Sequence, residues 1–564
     1  MKLLPILYIS VLGVVSGSWG QVSMRYNQLG FSPQGAKWIA VAKARGDSIY
    51  VYGAHGVKTG TYPLGPSQFW DASQDSVRLV DLSGITAEGT YSLSLPQSPK
   101  SFSLEIKKNP YRTLTDGTLK FFYYQRSGMA LLPEFAGAWS REAGHPDTQV
   151  KMHPSSLDSG FKSSSKGWYD AGDYGKYMVN SGISVYTLLS LYGKYPERFR
   201  SRNLGIPESN NDIPDILDEV RWNLDWMLTM QAKDGGVYHK LTTLRFPGEI
   251  TPAADTSTRY IIGKTTTATF DFAASLARAS LVYRPFDAEF ADRCLQAARR
   301  AYAWGMANPD VKYNQPSDVQ TGQYGDQNTM DERFWASVEM HLATGGKEPE
   351  FMRNAYAAQA IAGVADWSRV GMLGYFTVAL NPKIFGQFAN RAKDNVLRVA
   401  DELRSEAKAN GYRVSIASGE FGWGSNAEVA NQGVVLLHAF DLTQDSSYRQ
   451  TAQNNLDYLL GRNPLGISFV TGFGTKSTMD PHHRPSQSDS VKAPVPGMLA
   501  GGPFDGGDDV YNPDKPNESW KCAEYRVKNA PAKSYTDNHC SYATNEVAIN
   551  WNAPLAYMSG ALEE

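Results

Sequence analysis

One change of period governs what this chain can fold into. From Gln21 to about Lys107 apolar residues alternate in short runs, "KWIAVAK", "SIYVYGA", "SVRLVDL", "GTYSLSL" and "SFSLEI", separated by Gly, Pro, Ser and Asp. Period-two spacing in several short segments predicts an antiparallel sandwich of roughly ninety residues. After "NPYR" (109–112) the spacing becomes helical. In "NDIPDILDEVRWNLDWMLTMQ" the residues Ile213, Ile216, Leu217, Val220, Leu224, Met227 and Leu228 share one face, with Asp212 as N-cap and Pro214 in the first turn. Similar segments recur to the C-terminus and predict about ten to twelve helices stacked as hairpins, joined by long Gly/Pro loops. Loops of that length in a compact domain are usually functional. The expected organisation is a leader over 1–20, a β-sandwich over 21–108 and a helical domain over 109–564.

The start, "MKLLPILYISVLGVVSGSWGQ", has Lys2, an apolar run from Leu3 to Val15 and a small-residue site at Ser18-Trp-Gly20. That is the layout of a secretory signal peptide, so export to the medium or periplasm is expected. A formal net charge of −2 without a basic stripe or acidic tail excludes an electrostatic case for nucleic acid or an anionic membrane. Of three cysteines, Cys522 and Cys540 lie close together in a loop-rich stretch and could pair on export, while Cys294 in "FADRCLQAARRAYAW" reads as a buried thiol.

Three loop clusters carry chemistry. "GWYDAGDYGKY" (167–177) presents Asp170 and Asp173 among aromatics, and by itself reads first as a capped turn, with a catalytic pair and a calcium loop as the alternatives. "GRNPLGISFVTGFGTKSTMDPHHRPS" (461–486) brings His482, His483 and Arg484, a poor metal pair but a good set of donors for a polar ligand, or simply a surface turn. "SYTDNHCSYATNEVAINWNAP" (534–554) sets Glu546 at an apparent helix start among amides and Trp551, either a dipole match or a general acid whose pKa burial would raise. Remote carboxylates, a His/Arg loop and many aromatics are the inventory of glycosidic-bond hydrolysis.

At these residues the chain resembles glycoside hydrolase family 9, the inverting cellulase family. "SFVTGFGTKSTMDPHHR" and "YTDNHCSYATNEVAINWNA" fit its two long signatures, "WYDAGDYGKY" is similar to its catalytic-base loop, and "MRYNQLGFSP" resembles the opening of the immunoglobulin-like domain found in one branch. The resemblance implies an all-α (α/α)6 barrel behind an all-β immunoglobulin-like sandwich. It implies Asp173 as general base, Asp170 as its water-holding partner and Glu546 as general acid. It also implies His482, Arg484, Asp537, Trp551 and His239 as substrate-binding residues. In an inverting mechanism base and acid stand roughly 6.5–9.5 Å apart with a water between base and sugar, so they must come from loops distant in sequence.

Calcium is common in the family, and "DQNTMDERFW" (326–335) resembles a calcium segment, making Asp331 and Glu332 candidate ligands with Asp366 a later one; helix-dipole matching is the alternative. Relatives of this branch often bind zinc near the base loop through cysteines, but this chain has none before Cys294, so zinc is not expected. The expected activity is a secreted, monomeric endo-β-1,4-glucanase acting on cellulose or related β-glucans without organic cofactor. Alternatives are an exo-acting β-glucosidase or glucosaminidase, a xyloglucanase, a polysaccharide lyase, or a non-catalytic glycan-binding protein.

Overall fold

The computed structural model describes residues 22–44, 46–96, 101–359 and 362–564; the leader expected over 1–20 lies outside them. Eight strands form the sandwich: β1 (Ser23–Arg25), β2 (Trp38–Ala42), β3 (Ser48–Tyr52), β4 (Lys58–Pro63), β5 (Ser67–Trp70), β6 (Asp75–Asp81), β7 (Gly89–Ser94) and β8 (Ser101–Ile106). One sheet runs β1-β2-β6-β5 and the other β4-β3-β7-β8, with every pair antiparallel. All five alternating runs of the sequence are strands. Ile39, Val41, Ile49, Val51, Val80, Leu93 and Leu104 fill the space between the sheets.

The opposite face of the first sheet is also buried. Ala40, Ala42, Trp70, Val77 and Leu79 belong to the core of the helical domain. Successive residues of a strand point to opposite faces, so the apolar run of β2 serves two cores at once. Trp70 sits among Tyr412, Phe421 and Tyr458 with ring centroids at 5.5, 6.0 and 6.4 Å. Polar contacts frame this seam. The Gln28 N–H donates to the Leu460 carbonyl at 3.0 Å, and Asn27 donates to Asp457 at 2.8 Å. Asp457 is in turn paired with the buried Arg462 at 3.0 Å.

The described residues contain twelve helices of nine residues or more: α1 (Arg112–Tyr124), α2 (Met178–Lys194), α3 (Asp215–Thr229), α4 (Thr266–Val282), α5 (Ala288–Ala307), α6 (Met330–Ala343), α7 (Pro349–Ala357), α8 (Gly371–Leu380), α9 (Phe388–Ala409), α10 (Ser425–Thr443), α11 (Ser446–Leu459) and α12 (Ile549–Leu562). The even-numbered helices touch in the closed order α2-α4-α6-α8-α10-α12-α2, and each packs against odd-numbered helices outside it. This is an (α/α)6 barrel. The inner helices are apolar or small nearly all round, as in "GMLGYFTVAL" of α8, because they are enclosed by both rings. The outer helices α5 and α9 keep a charged face to solvent, as in "FANRAKDNVLRVADELRSEAKA".

Two local expectations are corrected. Helix α3 starts at Asp215 with Pro214 as its extended N-cap residue, not at Asp212. The Asp215 carboxylate is drawn away to the Leu204 N–H and the Ser209 hydroxyl, at 2.6 Å each. Glu546 does not begin a helix: it is the extended residue (φ −64°, ψ 161°) between a single turn at Tyr542–Asn545 and α12.

Removing the Trp70 ring takes a large side chain from the seam and leaves a cavity, a class of change that costs about 3–5 kcal/mol. Trp70→Ala is expected to lower the melting temperature of the whole chain in one transition by calorimetry. A separate early transition of the sandwich alone would contradict the shared core.

Candidate active site

A five-stranded sheet, not visible in the sequence pattern, sits at the loop end of the barrel. Its strands are β9 (Val150–Met152), β10 (Phe161–Lys162), β11 (Lys176–Tyr177), β12 (Tyr238–Thr243) and β13 (Arg259–Lys264), in the order β10-β9-β13-β12-β11. Strand β11 is the exit of the loop that carries Asp170 and Asp173, and it runs straight into the inner helix α2. The loop is bolted underneath by Asp147, which is buried and paired with Lys176 at 2.7 Å and Arg259 at 2.8 Å. Arg259 also donates to the Tyr174 carbonyl at 2.8 Å. His145 bridges the Tyr169 hydroxyl (2.8 Å) and Asp255 (3.2 Å) beside it.

Three loops remote in sequence meet on this base. The Gly172 carbonyl accepts the Arg484 backbone N–H at 3.0 Å and its guanidinium at 3.1 Å. His482 forms a short bridge to Glu546, with its N–H on the Asn545 carbonyl at 2.8 Å. The Ile549 N–H donates to the Asp170 carbonyl at 2.8 Å. At the junction the backbones come so close that a Cβ on Gly172 would lie 1.9 Å from the His482 carbonyl oxygen. Only glycine fits there.

Above the junction lies an open cleft of about 960 Å³ lined by Asp173, Glu546, His482, Arg484 and Trp551 among others. The predicted base, acid and three of the five predicted substrate-binding residues therefore share one cavity. Asp173 accepts the Gly175 N–H at 2.9 Å and is 5% exposed, facing the cleft. Asp170 is fully buried behind it. Its two oxygens receive the Asn180 amide at 2.8 and 2.9 Å, and the Tyr324 hydroxyl at 2.9 Å. Burial, then the charge of Asp173, push the Asp170 carboxyl up to about 8, with Asn180 and Tyr324 opposing. Burial, then Asp173 and Asp170, raise Glu546 well above the usual carboxylate range; Arg484 and the Trp423 indole pull the other way. The result is a carboxyl that holds its proton at neutral pH, as a general acid must.

His482 is pushed down to about 4, chiefly by burial, and is neutral. Its Nδ1 faces the His539 carbonyl, which fixes the proton there and leaves Nε2 as an acceptor.

The remaining predicted residues stand elsewhere. Asp537 lies outside the cleft lining; it accepts the N–H groups of Met479 (2.8 Å) and Asp480 (3.1 Å) and the Asn545 amide (3.0 Å), tying the two signature loops together. His239 is fully buried, stacked 4.0 Å from Tyr313, and bonds the carbonyl of Gln323, whose side of the loop lines the cleft. Asp331 is committed to Asn328 and the Val370 N–H, and Asp366 to Ser368 and Arg369 at the cleft edge. Glu332 is fully buried with both oxygens unpartnered, as are both oxygens of Asp271 and one of Asp326. Among the described residues no three His, Cys, Asp or Glu side chains converge as they stand on a point a metal could occupy.

Sequence reasoning missed Asn180 and Tyr324, which hold Asp170, and Trp423, Trp520, Tyr542 and Glu428 in the cleft wall. Asn180 lies ten residues after Asp170 on α2, at the first inward turn of the helix that the base loop enters. That placement was the available signal.

Two separated carboxylates, one held protonated, facing an aromatic cleft on a twelve-helix barrel define a glycoside hydrolase site. Comparison with known proteins makes the class specific. The model of glycosyl hydrolase family 9 matches residues 111–559, and that of the cellulase N-terminal ig-like domain matches residues 21–100. The chain belongs to glycosyl hydrolase family 9. It is 38% identical over 592 residues to a xyloglucan-specific endo-beta-1,4-glucanase of Bacteroides ovatus, covering 99% of this chain and 98% of that protein. Endoglucanase D of Acetivibrio thermocellus is 32% identical, covering 95% and 82%. A solved Bacteroides ovatus GH9 structure superposes with a TM-score of 0.88 at 37% identity, over 96% of this chain and 98% of that one.

Gly172→Ala forces the His482 and Asp173 loops apart without touching a reacting group. It is expected to lower kcat/KM by at least about 100-fold, the order that loss of positioning costs, while far-UV circular dichroism stays that of the parent. Near-parental activity would mean that the loop junction does not set the site.

Proposed function

We propose that the chain is an exported endo-β-1,4-glucanase that hydrolyses β-1,4-glucosidic bonds of cellulose or related β-glucans with inversion. The observation that carries the reading is the shared cleft: Asp173 and Glu546, from opposite ends of the barrel sequence, face one open groove. In this reading Asp173 takes the proton from water as the water attacks the anomeric carbon. Glu546 gives its proton to the departing glycosidic oxygen. Arg484 and the Nε2 of His482 hold sugar hydroxyls. Asp170, buried behind Asp173, acts through its neighbour: held by Asn180 and Tyr324, it keeps the base loop oriented. A xyloglucan-type, branched substrate is the second reading, favoured by the 38% identical relative whose name carries that specificity. The pairing of Cys522 with Cys540 supports work in an oxidising compartment. Among the described residues no helix is long and apolar enough to cross a membrane.

Glu546→Gln and Asp173→Asn are each expected to lower turnover on a soluble β-glucan by about 10²-fold or more, with folding unaltered. Product size and anomer, followed on cellulose, mixed-linkage glucan and xyloglucan, test the reading as a whole. Retention of configuration, or release of monosaccharide only, would overturn it.

The pH profile follows from the sign of the shifts. An acid whose pKa is raised stays protonated as pH rises and is lost only above its raised value. Activity is therefore expected to hold through neutral pH and fall on an alkaline limb set by Glu546. Arg484 lowers the Glu546 pKa, so Arg484→Met should move that limb upward as well as reduce its height. A limb that stays in place or moves down would contradict the assignment.

We also propose calcium as the counter-charge for the buried acids Glu332, Asp271 and Asp326, whose oxygens lack hydrogen-bond partners and would have to turn towards one point to hold it, whereas Asp331 and Asp366 are already engaged. Calcium added to chelator-treated protein should raise the melting temperature, and Glu332→Gln should remove the rise. An unmoved melting temperature would mean that protons neutralise the cluster.

A further inference from the structure

The loop between Gly502 and Ala530 does more than connect the barrel to the Glu546 arm. It carries Trp520, 58% exposed, into the lining of the cleft. There Trp520 lies 6.2 Å from the ring of Tyr542 at 36°, and Tyr542 lies 5.0 Å from Trp423 at 43°. Trp423 is itself 49% exposed. The three rings thus form a stepped aromatic wall leading outward from Glu546. Large aromatic faces left open to water at the rim of a functional cleft mark a surface that a ligand covers. A β-1,4-linked pyranose presents flat C–H faces and keeps its hydroxyls at the edge, which suits an indole or phenol face with a polar rim.

This wall is clamped, and the clamps converge on Trp520. Two residues past it, Cys522 is disulfide-bonded to Cys540, with Cα atoms 5.3 Å apart. Two residues past Cys540 stands Tyr542. The loop's own strand-like contact holds the other side: the Tyr511 N–H donates to the Cys522 carbonyl at 2.8 Å, and the Cys522 N–H to the Asp509 carbonyl at 2.9 Å. Asp509, fully buried, takes the Tyr525 hydroxyl at 2.6 Å on one oxygen. Its other oxygen takes the Ala543 N–H at 3.1 Å and the Ser541 hydroxyl. The Tyr542 hydroxyl closes the set on the Asp508 carbonyl at 2.7 Å. Every one of these bonds joins the loop to itself or to the arm that ends in Glu546. A loop stitched in this way presents its exposed ring already in place, so that binding need not order it first.

We propose that Trp520 and Tyr542 form an outer glucosyl-binding subsite of the cleft, held in register with Glu546 by the Cys522–Cys540 disulfide and the buried Asp509. The subsite accepts a sugar ring of the main chain beyond those at the cleavage point. It raises the preference for long substrates without taking part in the chemistry. This rests on the β-glucanase reading above.

The test compares kcat/KM on cellohexaose with kcat/KM on a short aryl cellobioside. For Trp520→Ala the long-to-short ratio is expected to fall about tenfold, through KM for the long substrate with kcat at saturation kept, and Trp520→Tyr should restore most of it. The double variant Cys522→Ser/Cys540→Ser should lower the ratio in the same direction. Binding of cellohexaose to Glu546→Gln, read by calorimetry, should weaken similarly when Trp520→Ala is added, and this arm needs no turnover. An unmoved ratio and unmoved affinity for Trp520→Ala would overturn the subsite. A loss confined to kcat and equal on both substrates would show a structural role and overturn it too. If only the cysteine variants left the ratio unmoved, the clamp would be overturned. Failure of the β-glucanase reading would show differently, as a parent enzyme inactive on both substrates and silent in the calorimeter.

Discussion

The site depends on a contact between two backbones. Gly172 and His482 approach so closely that no side chain fits between them, and the hydrogen bonds around the contact join the base loop, the His/Arg loop and the acid arm. None of these loops could position its carboxylate or donor alone, because each is long and irregular. Locked to one another, and set on the five-stranded sheet at the barrel mouth, they behave as one rigid part. The separation that the proposed inverting mechanism needs between Asp173 and Glu546 is then a property of how three loops dock.

Charge is handled in two opposite ways around that docking. Beneath the base loop Asp147 is matched by Lys176 and Arg259, and in the seam Asp457 is matched by Arg462; these buried acids are paired, as structural charges usually are. At the cleft Asp173 and Glu546, with Asp170 buried behind, crowd together, and Arg484 is the cation that acts on Glu546. Burial and mutual repulsion force protons onto the members least able to shed charge to water. Under-compensation is what separates an acid from a base among chemically similar groups.

Much of this was legible in the sequence, for physical reasons that differ by element. The alternation of "SIYVYGA" and "SVRLVDL" and the helical spacing of "DILDEVRWNLDWMLT" report burial directly, and both proved to be the expected elements. The pairing of Cys522 with Cys540 and the burial of Cys294 also match the sequence reading. Less was legible where tertiary contacts override local preference. Asp212 looked like a cap, but the neighbouring loop recruits Asp215 instead. Glu546 looked like a helix start, but its bridge to His482 holds it extended. The sheet at the barrel mouth has strands as short as two residues, too brief to show a period. His239 and Asp537 carry the right chemistry yet point away from the cleft, and orientation is what a one-dimensional pattern omits.

The sandwich has two faces with two different obligations. Ile39 and Val41 answer to the opposing sheet, while Ala40, Ala42 and Trp70 answer to Tyr412, Phe421 and Tyr458 of the barrel. Phe421 lies two residues from Trp423 in the cleft wall. Residues on either side of the topological boundary are therefore constrained to change together. An exchange of sandwiches between related enzymes, cut cleanly at the linker, would separate complementary halves of one surface. By descent such a chain can be a fusion of two domains, but once the seam has become a core, the pair is inherited as a single piece.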